Sequence, residues 1–291
     1  ILLSDTARKV NATSYVRLMA HTAAANIGLF FQLQGRVIPT ISACTAGSQG
    51  IGYAWEAIRY GLQDVMLAGG SEELCPTHVG VFDILYATST ANDNPGGTPR
   101  PFDVDRDGLV VGEGAATLVL ESLDHARERG APILAELVGF ATNSDGRHIT
   151  RPDRDSMARV MALALDSAAL SPGDVDFVCA HGTATVTGDI AESRATEDIF
   201  GGRVPVASLK GFLGHTLGAC GAIEAWLSLE MMRDGHFAPS HNLERVDPEC
   251  GTLDYVIGEG RDIQASTIMN NNFAFGCINT SMIFKRFGES P

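Results

Sequence analysis

The stretch Ser42-Ala-Cys44-Thr-Ala-Gly47, together with the segments on either side of it, decides how the fold is interpreted. Residues 36–42 (RVIPTIS) are β-branched and apolar, which predicts a buried strand, and residues 48–62 carry apolar side chains at the spacing of one helical face. The sequence therefore predicts a strand, a tight turn and a helix. A thiol in that turn would lie over the positive end of the helix dipole, which lowers its pKa and favours the nucleophilic thiolate. From this stretch alone, a buried structural cysteine is an equally good interpretation.

Composition and charge limit the classes of function that the chain can have. Its 291 residues can bury a large core, 45% of them are hydrophobic, and the formal net charge is −14. We expect no nucleic-acid partner, because phosphate binding requires a basic surface. No apolar run is long enough to cross a bilayer, so we expect no membrane partner. The six cysteines lack a C-x-x-C pair or zinc-ligand spacing, which predicts a reduced, cytoplasmic protein without a metal site.

The order of the predicted elements indicates an α/β fold. Two helical patterns (Ala7–Met19 and His21–Leu33) come first, and strands and helices then alternate, which predicts layers with mostly parallel strands. Strands are predicted at residues 64–70, 114–121, 133–141, 175–180 and 204–207, with a hairpin at 267–273 and 279–284. Helices are predicted at residues 122–129, 155–170, 188–200 and 218–233. Residues 71–113 are rich in turn signals, and a loop region of that length is usually functional.

Two histidines follow predicted strands, where open α/β sheets place their sites. His181 comes directly after one strand, and His215 opens a helix; both lie among glycines and threonines. A lone histidine more often packs or caps a helix, but neither position has an apolar pattern around it. Lys210 precedes His215 by five residues, where a surface lysine is the simple interpretation. Glu192, on the helix after His181, could pair with that ring.

Several stretches become informative when they are taken in chain order. They are Ser42–Gly47, Asn92–Pro95, Arg100–Asp103, Arg106–Gly108, Gly112–Ala115, His181–Thr185, Lys210 with Gly214–Ala219, and Phe273–Asn279. Together they resemble the motifs of β-ketoacyl-acyl carrier protein synthases, in the Cys-His-His branch that elongates fatty acids and polyketides. The resemblance covers nearly the whole chain, from about residue 15 to 287. Agreement of several ordered motifs is a far stronger signal than any one of them.

The resemblance implies a thiolase fold, in which two related α/β halves stack in five layers (αβαβα), usually as a dimer. Residues 1–130 would then be the C-terminal part of the first half, and residues 131–291 the second half. Family chains begin well before the strand that leads to the cysteine, so we expect the N-terminal part of the first half to be missing and a bare fragment to fold poorly. The resemblance implies no bound cofactor, because acyl carrier protein brings the substrates on its phosphopantetheine. The dimer would be a homodimer, or a heterodimer with a chain-length-factor-like subunit.

Catalytic roles follow from the resemblance position by position. Cys44 would accept the acyl chain as a thioester, with the backbone N–H groups of Cys44 and Phe275 as the oxyanion hole. When malonyl-carrier protein then loses CO₂, His181 and His215 would stabilise the enolate through Nε2–H. Lys210 would act electrostatically, with Glu192 as its partner.

Supporting roles follow in the same way. Thr183 and Thr185 would bond the pantetheine arm, and Phe275 would be the gate. Phe82 and Phe273 would line the substrate pocket. Glu224 would have a structural or electrostatic role.

The last motif departs from the family pattern, which is Phe-Gly-Phe-Gly-Gly-Thr-Asn. Ala274 replaces the first glycine, and Cys277-Ile278 replace Gly-Thr. A gate with fewer glycines is expected to be stiffer. These changes favour a specialised synthase, such as one of polyene or other secondary metabolism.

Three alternatives remain at this stage. A thiolase acting on coenzyme A esters shares the fold, and Cys277 lies near the position of its second cysteine, but thiolases have an Asn-Glu motif where this chain has His181-Gly-Thr. A non-condensing partner subunit would lack the nucleophile, whereas this chain has Cys44 and both histidines. An inactive fragment is the third.

Overall fold

A computed structural model of the chain describes residues 11–288. The chain divides between Ile41 and Ser42 into two compact units. The first unit contains two short helices, α1 (Ala12–Leu18) and α2 (Thr22–Phe30). These confirm the two helical patterns in shorter form, and residues 7–10 of the first prediction lie outside the described residues. No helix among residues 11–288 is long and apolar enough to cross a membrane.

The predicted strand at residues 36–42 is wrong. The segment has no regular structure, and its apolar side chains at Val37, Ile38 and Ile41 are 57%, 40% and 67% exposed. Among the described residues no strand pairs with it. Because an isolated strand leaves its N–H and C=O groups without partners, β-branched composition alone does not produce one.

The second unit begins with the cysteine segment and a two-stranded antiparallel sheet. Helix α3 (Ala46–Arg59) follows the turn as predicted, and β1 (Val65–Glu72) pairs with β2 (Gly114–Glu121). Strand β2 confirms its predicted bounds, whereas β1 is longer than predicted and largely half-buried rather than buried. Helix α4 (Pro76–Ile84) lies in the region that was predicted to lack regular structure. The Ser122 hydroxyl caps α5 (Leu123–Glu128), as expected.

A six-stranded mixed sheet forms the rest of the unit. Its strands, in spatial order, are β3 (Ala135–Ser144), β10 (Ile278–Arg286), β9 (Thr267–Ala274), β4 (Phe177–Cys179), β5 (Pro205–Ala207) and β7 (Asp254–Tyr255). The predicted hairpin is confirmed as the antiparallel pair of β9 and β10, with Asn279 opposite Phe273. Only the run from β9 to β7 is parallel, so the expectation of mostly parallel strands is only partly met. Short strands β6 (His236–Phe237) and β8 (Arg261–Asp262) pair separately.

The helices arrange these sheets in layers. They are α6 (Arg154–Ala168), α7 (Val186–Phe200), α8 (Lys210–Leu213) and α9 (Cys220–Asp234). Helices α3 and α9 contact both the two-stranded sheet of β1 and β2 and the six-stranded sheet, and they lie between the two. Helix α6 packs on β3 and β10 of the six-stranded sheet, and α7 packs against α6. Four of the five predicted layers can therefore be traced within residues 42–288. Apolar side chains fill the space between layers, as where the Phe177 and Phe237 rings lie 4.4 Å apart.

A glycine junction, formed by Gly47 of α3, Gly70 of β1 and Gly218 before α9, joins three of these segments. A Cβ on Gly70 would lie 2.3 Å from the Gly218 carbonyl oxygen and 3.1 Å from the Gly47 Cα. A Cβ on Gly47 would lie 3.0 Å from the same oxygen. These distances leave no room for a side chain, so the three backbones are in direct contact.

Candidate active site

The thiol of Cys44 lies in a turn of 3-10 helix (Ala43–Thr45) directly before α3. Ala43 adopts a left-handed conformation, with φ of 48°, which turns the chain sharply at this point. The Cys44 side chain is buried, and its Sγ lies 2.9 Å from Nε2 of His215. The backbone N–H groups of Phe275 and Cys44 act on the same sulfur and lower its pKa. The prediction that the nucleophile candidate lies in the turn before a helix is confirmed.

The expected lowering of the Cys44 pKa is wrong. Complete burial raises the pKa of the thiol to about 11, although the charge of Lys210 and the two N–H groups act in the opposite direction. Desolvation penalises the thiolate more than a helix terminus stabilises it. The resting residue is therefore a thiol, and His215 Nε2 is the group placed to exchange a proton with it.

The two predicted histidines meet near this thiol, His181 from the end of a strand and His215 from the turn after α8. His181 follows β4, and its ring centroid lies 5.2 Å from that of His215 in an edge-to-face arrangement. The backbone of His215 is fixed by hydrogen bonds to Val110 and Gly112, at 2.7 and 2.9 Å. Burial, together with the nearby Lys210 charge, holds the pKa of both rings well below 6.5. Both rings are therefore neutral at physiological pH.

Lys210 is completely buried and forms an ion pair with Glu224 of α9. Burial disfavours its charge, but Glu224 more than offsets this, and the pKa of Lys210 is raised above its usual value. Its Nζ also lies 3.2 Å from Nδ1 of His181. Because an ammonium group can only donate, Nδ1 must accept, and the proton of the neutral His181 ring is on Nε2.

The predicted pairing of Glu192 with Lys210 or with the His181 ring is corrected by these contacts. The Glu192 carboxylate instead accepts the backbone N–H groups of His181 and Gly182, each at 2.6 Å. Burial raises the pKa of Glu192 to about 8, against the effect of these two donors. Its role is therefore to hold the backbone that carries the ring. The sequence placed Glu192 on the correct helix, but it could not tell which of two carboxylates faces the lysine.

A second buried carboxylate, which sequence analysis did not identify, holds the next part of this loop. Asp189 accepts the N–H groups of Thr183 and Phe102, at 3.0 and 2.7 Å. Burial raises its pKa to about 6, while the Arg106 guanidinium, 3.6 Å away, acts against that rise. The sequence signal that could have identified Asp189 is its position as an acidic residue in the first turn of the helix after His181. Asn272, which contacts Glu224, was also missed.

A cavity of about 380 Å³ opens over the thiol. Besides Cys44, the predicted site residues that line it are His181, His215, Thr183, Thr185, Phe82, Phe273, Phe275 and Glu192. Lys210 and Glu224 are not among its lining residues and lie behind the histidines. The hydroxyls of Thr183 and Thr185 are 2.9 Å apart, and the Phe82 and Phe275 rings are 5.8 Å apart. The structure thus gives the cavity a polar threonine side and an aromatic side.

The turn that carries Phe275 is attached to a neighbouring loop. Gly276 donates to the Ile149 carbonyl at 2.8 Å, and the Cys277 thiol donates to the His148 carbonyl at 3.1 Å. Cys277 has φ of 69°, a conformation that is costly for a residue with a side chain. These contacts hold the turn against the neighbouring loop, and Cys277 also lines the cavity. That Phe275 acts as a gate, and that the gate is stiffer, stay predictions.

Two groups of side chains bring metal-ligating atoms within 4.8 Å of one another. One is Cys44 with the two histidines, and the other is His181 with Cys220 and Glu224. The charge of Lys210 acts on the members of both groups, which opposes the entry of a cation. The expectation of a site without a metal remains a prediction.

Comparisons with known proteins agree with this geometry. The family description "Beta-ketoacyl synthase, N-terminal domain" matches residues 1–126, and "Beta-ketoacyl synthase, C-terminal domain" matches residues 134–244. The 3-oxoacyl-[acyl-carrier-protein] synthase 2 of Coxiella burnetii is 38% identical over 291 residues, which cover 98% of this chain and 70% of that protein.

Solved structures give the same result. A beta-ketoacyl synthase from Burkholderia phymatum has a TM-score of 0.96 at 58% identity, over 98% of this chain and 70% of that one. A type II PKS ketosynthase, solved in complex with its acyl-carrier protein and bound to the hexaketide, has a TM-score of 0.91 at 34% identity, over 95% and 69%. The thiolase alternative is therefore not supported. This chain belongs to the beta-ketoacyl synthase family and has its thiolase fold.

Proposed function

We propose that this chain carries the catalytic centre of a 3-oxoacyl-[acyl carrier protein] synthase. The reaction is a decarboxylative Claisen condensation, in which an acyl group held on Cys44 is joined to malonyl-acyl carrier protein, in fatty acid or polyketide and polyene biosynthesis. The observation that carries the proposal is the contact of 2.9 Å between Cys44 Sγ and His215 Nε2, with the neutral His181 ring beside it on the same cavity wall.

In the first step, Cys44 takes the acyl chain. Its sulfur attacks the thioester carbonyl while His215 Nε2 accepts the thiol proton, so the low thiolate population is compensated by a base in contact. The N–H groups of Phe275 and Cys44, which both lower the pKa of the thiol, stabilise the tetrahedral oxyanion. The carrier thiolate leaves with the proton from His215, and Cys44 is acylated.

In the second step, the malonyl group loses CO₂. The negative charge that develops on the thioester oxygen accepts a hydrogen bond from Nε2–H of His181 and, once the proton of the neutral His215 ring has moved from Nδ1 to Nε2, from His215 as well. A neutral ring suits this role, because an imidazolium would protonate the enolate. The enolate carbon attacks the Cys44 thioester, the Cys44 thiolate leaves, and the 3-oxoacyl product remains on the carrier protein.

The remaining predicted residues fit supporting roles around these steps. Thr183 and Thr185 form the hydroxyl pair that can bond the pantetheine amides, and Phe82, Phe273 and Phe275 form the aromatic side of the cavity. Acyl carrier protein is the proposed partner, in a homodimer or in a heterodimer with a chain-length-factor-like subunit, without a bound cofactor. A cytoplasmic location stays a prediction.

Intact-mass spectrometry with an acyl-carrier protein donor tests the proposal. The protein should gain the mass of the acyl group, and Cys44→Ala should gain nothing. Addition of malonyl-carrier protein should then remove that mass from the enzyme and form 3-oxoacyl-carrier protein. Failure of every acyl donor to label Cys44 would contradict the proposal and favour a non-condensing subunit or an inactive fragment.

A further inference from the structure

Three consecutive asparagines on β9 are completely buried, which is rare for amides inside a sheet. Successive side chains of a strand point to opposite faces, so Asn270 and Asn272 share one face and Asn271 lies on the other. The contacts agree, since Asn271 Nδ2 lies 3.3 Å from the Met161 sulfur on α6. Asn270 and Asn272 instead face the active-site side of the sheet.

Asn272 is held in one orientation by its neighbours. Its Oδ1 accepts from Asn270 Nδ2 at 3.2 Å, and its Nδ2 donates to Glu224 Oε2 at 2.7 Å. A carboxylate oxygen can only accept, so the Nδ2 group must be the one that faces Glu224. The opposite oxygen of Glu224 pairs with Lys210, and the carboxylate therefore has a donor on each side.

The same Nδ2 lies 3.5 Å from Nδ1 of His181, beside Lys210 Nζ. Both described neighbours of Nδ1 are thus donors, which keeps the ring proton on Nε2. A Glu224 oxygen lies within 4.8 Å of a ring nitrogen of His181. Without the Asn272 donor, Glu224 Oε2 would lose that partner and draw Lys210 Nζ away from Nδ1. The ring proton could then move from Nε2 to Nδ1, where Nδ1–H donates to the carboxylate and Nε2 is left as an acceptor.

We propose that Asn272 is a positioning residue that engages Glu224 and so keeps the neutral His181 ring protonated on Nε2, facing the substrate. The inference rests on the proposed function, because it concerns the ring that stabilises the enolate. An Nε2 acceptor would repel the enolate oxygen rather than stabilise it.

Asn272→Leu and Asn271→Leu form a matched pair, since both remove a buried amide from the same strand and only the first faces Glu224. Nitrogen-15 NMR of histidine-labelled protein, with His181→Gln for assignment, reports which ring nitrogen carries the proton. We expect Asn272→Leu to show the Nδ1–H form and to slow malonyl decarboxylation about 10- to 100-fold. Acylation of Cys44 should change less than about threefold, because that step uses His215. Asn271→Leu should keep the Nε2–H form.

An unchanged tautomer in Asn272→Leu, or an equal loss of decarboxylation in both variants, would overturn the inference. Should Asn272→Leu fail to fold, Asn272→Val removes the same Nδ2 donor with a smaller side chain and must shift the ring signals in the same direction; unchanged signals would overturn the inference there too. Absence of Cys44 acylation in the unmodified protein would count against the proposed function alone, since the ring signals do not depend on turnover.

Discussion

The buried ion pair of Lys210 and Glu224 permits a quantitative test of how the site is held together. Both side chains are 1% exposed, so removal of either partner leaves a charge without solvent. We expect Lys210→Met to lower the free energy of unfolding by about 3–5 kcal/mol, and Glu224→Leu to do the same.

The double variant Lys210→Met/Glu224→Leu should be more stable than either single one. It contains no uncompensated charge, and what remains is the loss of an acceptor for Asn272 Nδ2 and of a donor for His181 Nδ1, which together cost about 1–3 kcal/mol. The two single effects would sum to about 6–10 kcal/mol. The difference between this sum and the double variant is the coupling energy, which we expect to exceed about 3 kcal/mol.

Urea denaturation at constant m value measures these quantities. The pH dependence provides an independent check, because burial already raises the pKa of Glu224 and removal of Lys210 raises it further. The deficit of Lys210→Met should therefore be largest at high pH and should shrink as the pH falls and Glu224 takes a proton. Additive single effects, or a Lys210→Met deficit below about 1 kcal/mol, would refute the idea that the pair is coupled and desolvated.

Three further predictions follow from burial and contact distance. The rate of Cys44 alkylation by iodoacetamide, measured by peptide mass spectrometry, should rise about tenfold per pH unit from about pH 7 to 10, because only the thiolate reacts and the pKa of the thiol is about 11. A rate that reaches a plateau near pH 8 would contradict this. Asp189→Asn should lower the free energy of unfolding, measured by urea denaturation, by about 2–4 kcal/mol, because one amide NH₂ would face backbone N–H donors. An unchanged stability would be inconsistent with these contacts. Gly52→Ala should lower the free energy of unfolding by about 1–3 kcal/mol, because the added Cβ would lie 2.2 Å from the Phe140 ring. Gly28→Ala, where the added Cβ meets open space, should leave the stability unchanged, and equal effects of the two variants would argue against this packing.

Much of the fold could be predicted because its pattern is local. Strand β2 and the hairpin of β9 and β10 carry β-branched or apolar runs bounded by turn residues, and both were found. Helix α4 was missed because none of its residues is buried, so it has no apolar periodicity. The expected strand at residues 36–42 failed for the opposite reason, since its composition was suitable but no strand pairs with it among the described residues.

The site could be predicted as a set of residues, through the resemblance, but not in its electrostatics. The thiol pKa depends on complete burial, which no local pattern reveals, and the dipole argument alone gave the wrong direction. The choice between Glu192 and Glu224 as the partner of Lys210 depends on which helix face points inward at distant positions of the chain. The role of Asn272 is likewise a property of the folded sheet.

The glycine junction has a consequence for how this enzyme can diversify. Gly47 lies three residues after the nucleophile, and Gly218 lies three residues after His215, so backbone contact at the junction sets the separation of the sulfur and the imidazole. Variation at the cavity wall leaves that separation untouched, whereas any side chain at the junction would push the two apart. Selection for new acyl chains should therefore accumulate substitutions at cavity-lining positions such as Phe82, while the three glycines of the junction stay fixed. In a library that randomises both the cavity lining and the junction, the active variants should differ from this sequence only in the cavity lining.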